Sequence, residues 1–350
     1  MALSKLYLHH FRCYSDTSFE FSPGINAIYG ANARGKTTIL EAIHFLMTGR
    51  SFRTPHVKDL VQLTAPAFYL ETTFQRHQVV QSLKIHGNEK ERKILYNQTH
   101  FSSATSLLGI LQGVVIAPDD VALVKGGPGL RRNFLDMQIA QVDPLYVHHL
   151  MRYNRAMRQR NALLRAGNTL TIESWEHEMA HSAAYLAQQR FKVVRELSKA
   201  CTDLYQILSG EKESLHLQYK GQAPQMDDIA ATRLYYMEQF QKQRKREMLL
   251  GYTLTGPHKD DLLIAIGDKE VRFFASEGQQ RSCTAALRLA EWRCLNELTD
   301  EPPLMLIDDV GVSLDRSRRE RLLELIQTMG QVFLTATDPL PIEAFTVFRG

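Results

Sequence analysis

The stretch Gly30-Ala31-Asn32-Ala33-Arg34-Gly35-Lys36-Thr37-Thr38 decides how this chain folds. Its first eight residues satisfy Gly-x-x-x-x-Gly-Lys-[Ser/Thr], a loop whose glycines let backbone N–H groups curl round phosphate oxygens. In such a loop the lysine reaches the β- and γ-phosphates, and the next hydroxyl ligates Mg²⁺. Composition alone would place these four fixed residues in roughly one chain of this length in a hundred, so the flanks must decide. Upstream, residues 17–29 read as a strand ending in Ile25-Asn-Ala-Ile-Tyr29. Downstream, Ile39, Leu40, Ile43, Leu46 and Met47 fall on one face of a helix over 36–47. Strand, loop and helix is the context the chemistry needs, because the helix turns its partly positive N-terminus toward the same anion. The spacing therefore predicts an ATP site. Lys36 and Thr37 grip the triphosphate and Mg²⁺, while Gly30, Ala31, Asn32, Ala33, Arg34, Gly35 and Thr38 line it. The bland alternative is a glycine-rich turn with a surface lysine, and that turn requires neither flank.

A metal on a triphosphate needs a carboxylate partner. Leu304-Met-Leu-Ile307 is apolar throughout, as in a parallel strand buried on both faces, and it ends in Asp308-Asp309. Open α/β sheets bind ligands at the carboxyl ends of their strands. This places Asp308 on Mg²⁺ or its water shell and makes Asp309 the catalytic carboxylate that polarises the attacking water. A lone Asp-Asp is as often a helix cap or a turn; the apolar strand before it and the phosphate loop upstream favour the metal.

Around these motifs the chain changes character twice. Residues 3–8 and 67–118 read as short strands, residues 131–250 are dominated by helix formers with few Gly or Pro, and a β/α mixture returns after Gly251. The expected organisation is a split α/β domain, 1–125 and 251–350, interrupted by a helical lobe at 126–250. With 44% apolar and 23% charged residues, the 350-residue chain has an ordinary globular composition. Its net charge of +4 permits a polyanionic partner without demanding one. Cys13, Cys201, Cys283 and Cys294 lack the close spacing of a zinc or redox motif. No apolar run reaches the roughly 18 residues of a membrane helix, and the first ten residues do not read as a signal peptide, so a cytoplasmic protein is expected.

Between the two sites lies Ser276-Glu277-Gly278-Gln279-Gln280-Arg281, opening a helix. Alone it would be a helix cap beside a flexible glycine. In the order phosphate loop, helical insertion, Ser-x-Gly-Gln, Asp-Asp, Ser313-Leu314-Asp315, it resembles the ATP-binding-cassette ATPases of the chromosome-maintenance (SMC/Rad50-like) group. The likeness runs along essentially the whole chain. Further pieces are Phe11-Arg12, Ile39-Leu-Glu-Ala-Ile43, Pro118-Asp-Asp120, Leu123-Val-Lys-Gly126, Arg131-Arg-x-Phe-Leu-Asp136, Tyr153-x-Arg-x-x-x-Gln-Arg-Asn161, Gly256-Pro-His-Lys-Asp-Asp261 and Thr335-Ala-Thr-Asp338. It is nearest to the branch of that group that works in recombinational repair. Ala33, Thr38 and Cys13 depart from the usual pattern, and an alanine suits the loop unless its φ must be positive.

The resemblance implies an α/β fold, an ABC-type ATPase head with a mixed sheet at the phosphate loop, plus a helical insertion lobe. It implies that Ser276, Gly278 and Gln279 reach the γ-phosphate held by a second copy, that Asp315 couples the two sites, that Thr337 and Asp338 sense the γ-phosphate, and that Arg12 touches the nucleotide. ATP then drives homodimerisation and hydrolysis is slow. The implied partners are DNA, single- or double-stranded with a gap or junction, and the mediator proteins RecO and RecR, which help RecA to load. A helical part of about 120 residues without sustained heptads leaves a short lobe instead of a long coiled coil. Arg131, Arg132, Arg152, Arg155, Arg158, Arg160, Arg165, Lys242, Arg244, Lys245 and Arg246 crowd in or beside it. They read either as a solvated face or, with the resemblance added, as sequence-independent phosphate contacts to duplex DNA. His258 reads as part of a structured turn into a strand. A transporter cassette is disfavoured by the long insertion, and a nuclease-linked relative by the few residues after the last ATPase motif.

Overall fold

The computed structural model describes residues 1–210, 213–224, 226–310 and 315–349. The chain opens with β1 (Ala2–Phe11), β2 (Tyr14–Glu20) and β3 (Ile25–Tyr29), then the phosphate loop and α1 (Lys36–Thr48). The stretch 17–29 thus holds two strands, because Ser22-Pro23-Gly24 breaks it: proline cannot donate to a ladder and Gly24 has φ +101°. Next come β4 (Phe68–Arg76), β5 (Val79–Gly87), β6 (Arg92–Tyr96), β7 (Thr99–Phe101) and β8 (Gly113–Ile116). The helical stretch comprises α2 (Val121–Lys125), α3 (Pro128–Ala140), α4 (Pro144–Ala166), α5 (Ile172–Ser209), β9 (Leu215–Lys220) and α6 (Ile229–Leu250). The chain closes with β10 (Asp261–Ile266), β11 (Lys269–Glu270), α7 (Val271–Phe274), α8 (Glu277–Leu298), β12 (Leu304–Ile307), α9 (Arg316–Ile326), β13 (Val332–Ala336) and β14 (Phe345–Arg349).

By contacts the chain divides into two compact units, Met1–Val121 with Leu204–Glu211 and Ser276–Gly350, and Ala122–Asp203 with Lys212–Ala275. In the first, an antiparallel sheet runs β2-β1-β4-β5-β6-β7 and a parallel sheet runs β14-β3-β13-β12-β8. α1 packs on strands of both sheets, which explains why ten of its thirteen residues are buried. Its Ile39, Leu40, Ile43, Phe45 and Leu46 meet Leu3, Leu6 and Phe68 from one sheet and Leu304, Leu306 and Phe333 from the other. The parallel order sets β3, carrying the loop, beside β13, and β13 beside β12, carrying the acids. Their carboxyl ends therefore lie side by side.

In the second unit, α4, α5 and α6 share a core built from Tyr146, Tyr153, Ala180, Ala183, Leu186, Tyr236 and Phe240. Residues 251–275 cluster here because β10 pairs antiparallel with β9, from Asp261↔Lys220 to Ile266↔Leu215. Strand β9 shows alternating burial in Leu215-His-Leu-Gln-Tyr-Lys220, a period-2 signal set within a helical neighbourhood. Among the described residues no helix is long and apolar enough to cross a membrane.

Candidate nucleotide site

The loop leaves β3 at Gly30, where φ is +152°, and passes through left-handed backbone at Ala33 (φ +64°) and Gly35 (φ +87°). At Gly35 a side chain would be both strained by the positive φ and crowded, since a Cβ would stand 2.8 Å from Tyr14 Oη and 2.9 Å from Cys13 Sγ. Ala33 takes up the positive φ with a side chain in place, at a cost of about 1 kcal/mol. Gly35 is also the N-cap of α1, and no side chain caps the helix. Its first N–H groups are thus left for an anion, with the helix dipole behind them. The Lys36 ammonium curls over the loop and donates to the Gly30 and Ala31 carbonyls at 2.6 and 2.9 Å.

Across the loop stand the two acids. Asp308 Oδ1 accepts hydrogen bonds from the Thr37 hydroxyl at 2.9 Å and the Thr335 hydroxyl at 2.8 Å. Thr335 Oγ1 in turn accepts from the Asp309 backbone N–H at 2.8 Å. Burial pushes the Asp308 carboxyl above its ordinary pKa, and so does the charge of Asp309; the two threonine donors pull it back. Asp309 sits at φ +54°, a left-handed turn that re-aims the chain just past β12. Together the loop, Arg12, Arg53, Lys58, Asp59, Leu63, Asp309 and Thr335 line an open cavity of about 790 Å³. Five cations (Arg12, Arg34, Lys36, Arg53 and Lys58) face two carboxylates there, an electropositive balance suited to a polyphosphate.

Among the expected site residues, Asn32 to Thr38, Arg12 and Asp309 come together on this cavity, with Asp308 bonded beneath it. Ser276, Gly278 and Gln279 do not line it. They form the first turn of α8, where the Ser276 hydroxyl accepts from Gln279 N–H and the Gln279 side chain accepts from Ser276 N–H. Ser276 is exposed there. Thr337 and Asp338 bond one another at 3.0 Å, both exposed, after β13. Asp315 caps α9 by accepting from Arg318 N–H, while Ser313 and Leu314 lie outside the described residues. The Arg12 guanidinium lines the cavity while its Nε and Nη2 are held by both Glu41 oxygens, at 2.9 and 2.6 Å.

Sequence reasoning assigned no role to Thr335, Arg53 and Glu41. Thr335 stood inside a quoted motif, and an apolar strand beside the acid-bearing one pointed to its end. Glu41 offered a plainer signal, a carboxylate on the buried face of an apolar helix.

The second unit corrects the reading of the basic residues. Arg160 is fully buried, bonded to Glu176 at 2.9 Å and Glu247 at 2.6 Å, and Arg131 is clamped to Asp261 through two bonds. Arg244 pairs with Glu176 and Glu173, Arg152 with Glu178, and Arg132 donates to the Asp260 carbonyl. Arg160 and Arg131 serve the lobe's own packing, because acids distant in sequence fold onto them, whereas Arg152 stays exposed beside its partner. Arg155, Arg158, Arg165, Lys242, Lys245 and Arg246 remain exposed. His258 is half-buried, accepts from the Tyr153 hydroxyl at 2.6 Å and faces the Thr253 carbonyl at 3.2 Å. Burial lowers its pKa to about 4, so it stays neutral.

Comparison with known proteins places the chain. The model of the RecF/RecN/SMC N-terminal domain matches residues 2–346. The DNA replication and repair protein RecF of Protochlamydia amoebophila is 54% identical over 340 residues, covering 97% of this chain and 95% of its own length. That of Symbiobacterium thermophilum is 37% identical over 344 residues, 97% of this chain and 92% of its own. A solved structure of the recombination mediator RecF with ATP superposes with a TM-score of 0.91 at 28% identity, over 98% of this chain and 93% of that one. An SMC head bound to the C-terminal winged-helix domain of ScpA gives 0.55 at 17% identity, over 97% of this chain and 90% of that one, which shows the shared ABC-type ATPase head fold. The chain belongs to the RecF family of DNA replication and repair proteins, within the wider RecF/RecN/SMC group.

Proposed function

We propose that this protein is an ATP-switched DNA-binding protein of recombinational repair, and that its slow ATPase times how long two copies hold DNA. The observation that carries the reading is the convergence of the Thr37 and Thr335 hydroxyls on the buried Asp308, with the Asp309 N–H bonded to Thr335, beside an uncapped helix N-terminus. That set of hard oxygens fits Mg²⁺, which takes one or two carboxylates plus substrate phosphates and water. Among the described residues no group of three or more His, Cys, Asp or Glu could hold a metal by itself, so the remaining ligands fall to the nucleotide. When bound, Mg²⁺ neutralises charge on the transferring phosphate. Lys36 then exchanges its loop carbonyls for phosphate oxygens, the α1 N–H groups hold the anion, and Asp309 orients the attacking water. Support for the nucleotide also comes from the relative solved with ATP.

The dimer reading rests on the signature turn. The Ser276 capping box ends in an exposed helix start absent from the cavity's own lining, so a second copy is the natural source of a γ-phosphate for it. The relatives' repair role and the exposed Arg155, Arg158, Arg165, Lys242, Lys245 and Arg246 support DNA binding through phosphates, with gapped or junction-bearing DNA as ligand. The pathway of the solved relative supports RecO and RecR as partners in RecA loading. The test is ATP hydrolysis with and without gapped DNA, alongside fluorescence anisotropy of labelled DNA over a salt series. We expect stimulation by DNA, loss in Asp309→Asn, and ATP-dependent affinity that falls steeply with salt. No effect of any DNA on hydrolysis, or a flat salt response, would overturn the reading.

A further inference from the structure

Glu41 is a buried carboxylate of the first unit whose arginine partners line the cavity. It is fully buried within α1, yet accepts four hydrogen bonds on two oxygens. Oε1 takes Arg12 Nη2 at 2.6 Å and the Ser51 hydroxyl at 2.5 Å. Oε2 takes Arg12 Nε at 2.9 Å and Arg53 Nη1 at 3.3 Å. Ser51 Oγ also accepts from the Arg53 and Thr54 N–H groups, so the chain bearing Arg53 is anchored to the same carboxylate. Arg12 and Arg53 both line the nucleotide cavity; Glu41 does not.

The two arginines are held unequally. Arg12 is gripped side-on through a bidentate pair and is 21% exposed, whereas Arg53 makes one long bond and is 43% exposed. A bidentate guanidinium–carboxylate pair is strong and geometrically fixed, but a single long contact at a partly exposed site contributes little. Two cations also share one anion, so a surplus charge faces the cavity. A triphosphate arriving at Lys36 offers Arg53 a better partner and offers Arg12 none that improves on its two short bonds.

We propose that Glu41 is a positioning residue that fixes Arg12 and holds Arg53 in reserve, releasing Arg53 to the bound nucleotide. It acts through the arginines without touching the nucleotide, and the proposal rests on the ATP reading of the cavity. Glu41 and the nucleotide therefore compete for Arg53. Removing the carboxylate charge frees Arg53 in advance and loosens Arg12, so affinity and turnover move in opposite directions.

The test titrates a ribose-labelled fluorescent ATP against the full-length wild type, Glu41→Gln, Arg53→Ala and the double variant, and measures kcat for each. We expect Glu41→Gln to bind about two- to fivefold tighter with a lower kcat. In the Arg53→Ala background the tightening disappears. A merely structural Glu41 would weaken binding equally in both backgrounds, and that result overturns the proposal, as does unchanged affinity. If Glu41→Gln does not fold, Glu41→Asp carries the same expectation for affinity alone, since its shorter arm keeps a charge for Arg12 and withdraws from the long bond to Arg53. Wild type that fails to bind labelled ATP at all would instead sink the nucleotide reading on which the proposal stands.

Discussion

Thr335→Val removes one hydroxyl and almost no volume, and the structure says what that hydroxyl does. It donates to Asp308 Oδ1 at 2.8 Å and accepts from Asp309 N–H at 2.8 Å, with Thr335 itself 1% exposed. Two losses follow. The Asp308 carboxylate keeps only the Thr37 donor, and a hydrogen bond to a charged group contributes about 1.5–3 kcal/mol. The Asp309 N–H is left without its acceptor, worth roughly 1–3 kcal/mol where water cannot replace it. The fold should lose about 2–4 kcal/mol in urea unfolding, and turnover should fall roughly ten- to a hundredfold, because both acids are re-aimed. The pH profile adds a sign. Thr335 is the first of the groups that hold the Asp308 carboxyl down against burial, so its loss raises that pKa further and moves the acid limb of Mg²⁺-dependent hydrolysis to higher pH. The assay is steady-state ATP hydrolysis from pH 5 to 9, with Thr335→Ser as the control that restores the hydroxyl. If valine and serine behave alike, or if the acid limb stays put while stability falls, the hydroxyl bridge is not what organises the two acids.

Asp308→Asn should raise the thermal midpoint of the nucleotide-free protein while abolishing hydrolysis. Burial lifts the folded pKa of Asp308 above its unfolded value, so the native state binds the extra proton and stability drains away as pH rises through that folded value; the amide removes the effect. His258 works in the opposite sense. With its pKa lowered from 6.5 to about 4, its contribution is complete above about pH 6.5 and is lost as pH falls toward 4. Urea midpoints should show up to about 2 kcal/mol of this loss by pH 5, and His258→Gln should flatten that slope. Arg160→Ala leaves Glu176 and Glu247 buried without their shared cation and should cost about 3–5 kcal/mol by chemical denaturation. The same substitution at exposed Arg158 should cost less than about 0.5 kcal/mol.

How much of this was legible without coordinates depended on how local each cause is. The phosphate loop and the Asp-Asp pair announce themselves because each is a short motif flanked by an apolar strand whose period is visible in the residues. The helical character of 131–250 was legible from its helix formers and its few Gly and Pro. Strand β9 was not, since six alternating residues between long helices carry little weight until β10 is known to pair with them. Side-chain partners were least legible. Nothing near Arg160 in sequence reveals that Glu247 folds onto it 87 positions later, so a buried structural arginine looked like part of a basic surface. Ala33 shows the converse limit. An alanine suits the loop only where its φ is negative, and only the folded loop reveals that it is +64°, at a steric cost.

The central claim is that each nucleotide site is completed by a second copy, and subunit mixing tests it most directly. Lys36→Ala disables the loop of its own chain but keeps an intact Ser276 turn; Ser276→Arg does the reverse. In a head-to-tail dimer of one with the other, the Lys36 loop of the Ser276→Arg chain faces the sound signature of the Lys36→Ala chain. We predict that each variant alone is inactive and that an equimolar mixture with ATP, Mg²⁺ and gapped DNA recovers hydrolysis and sediments as a dimer. A Ser276→Arg protein that hydrolyses ATP as well as wild type, or a mixture as inactive as its parts, would contradict the account.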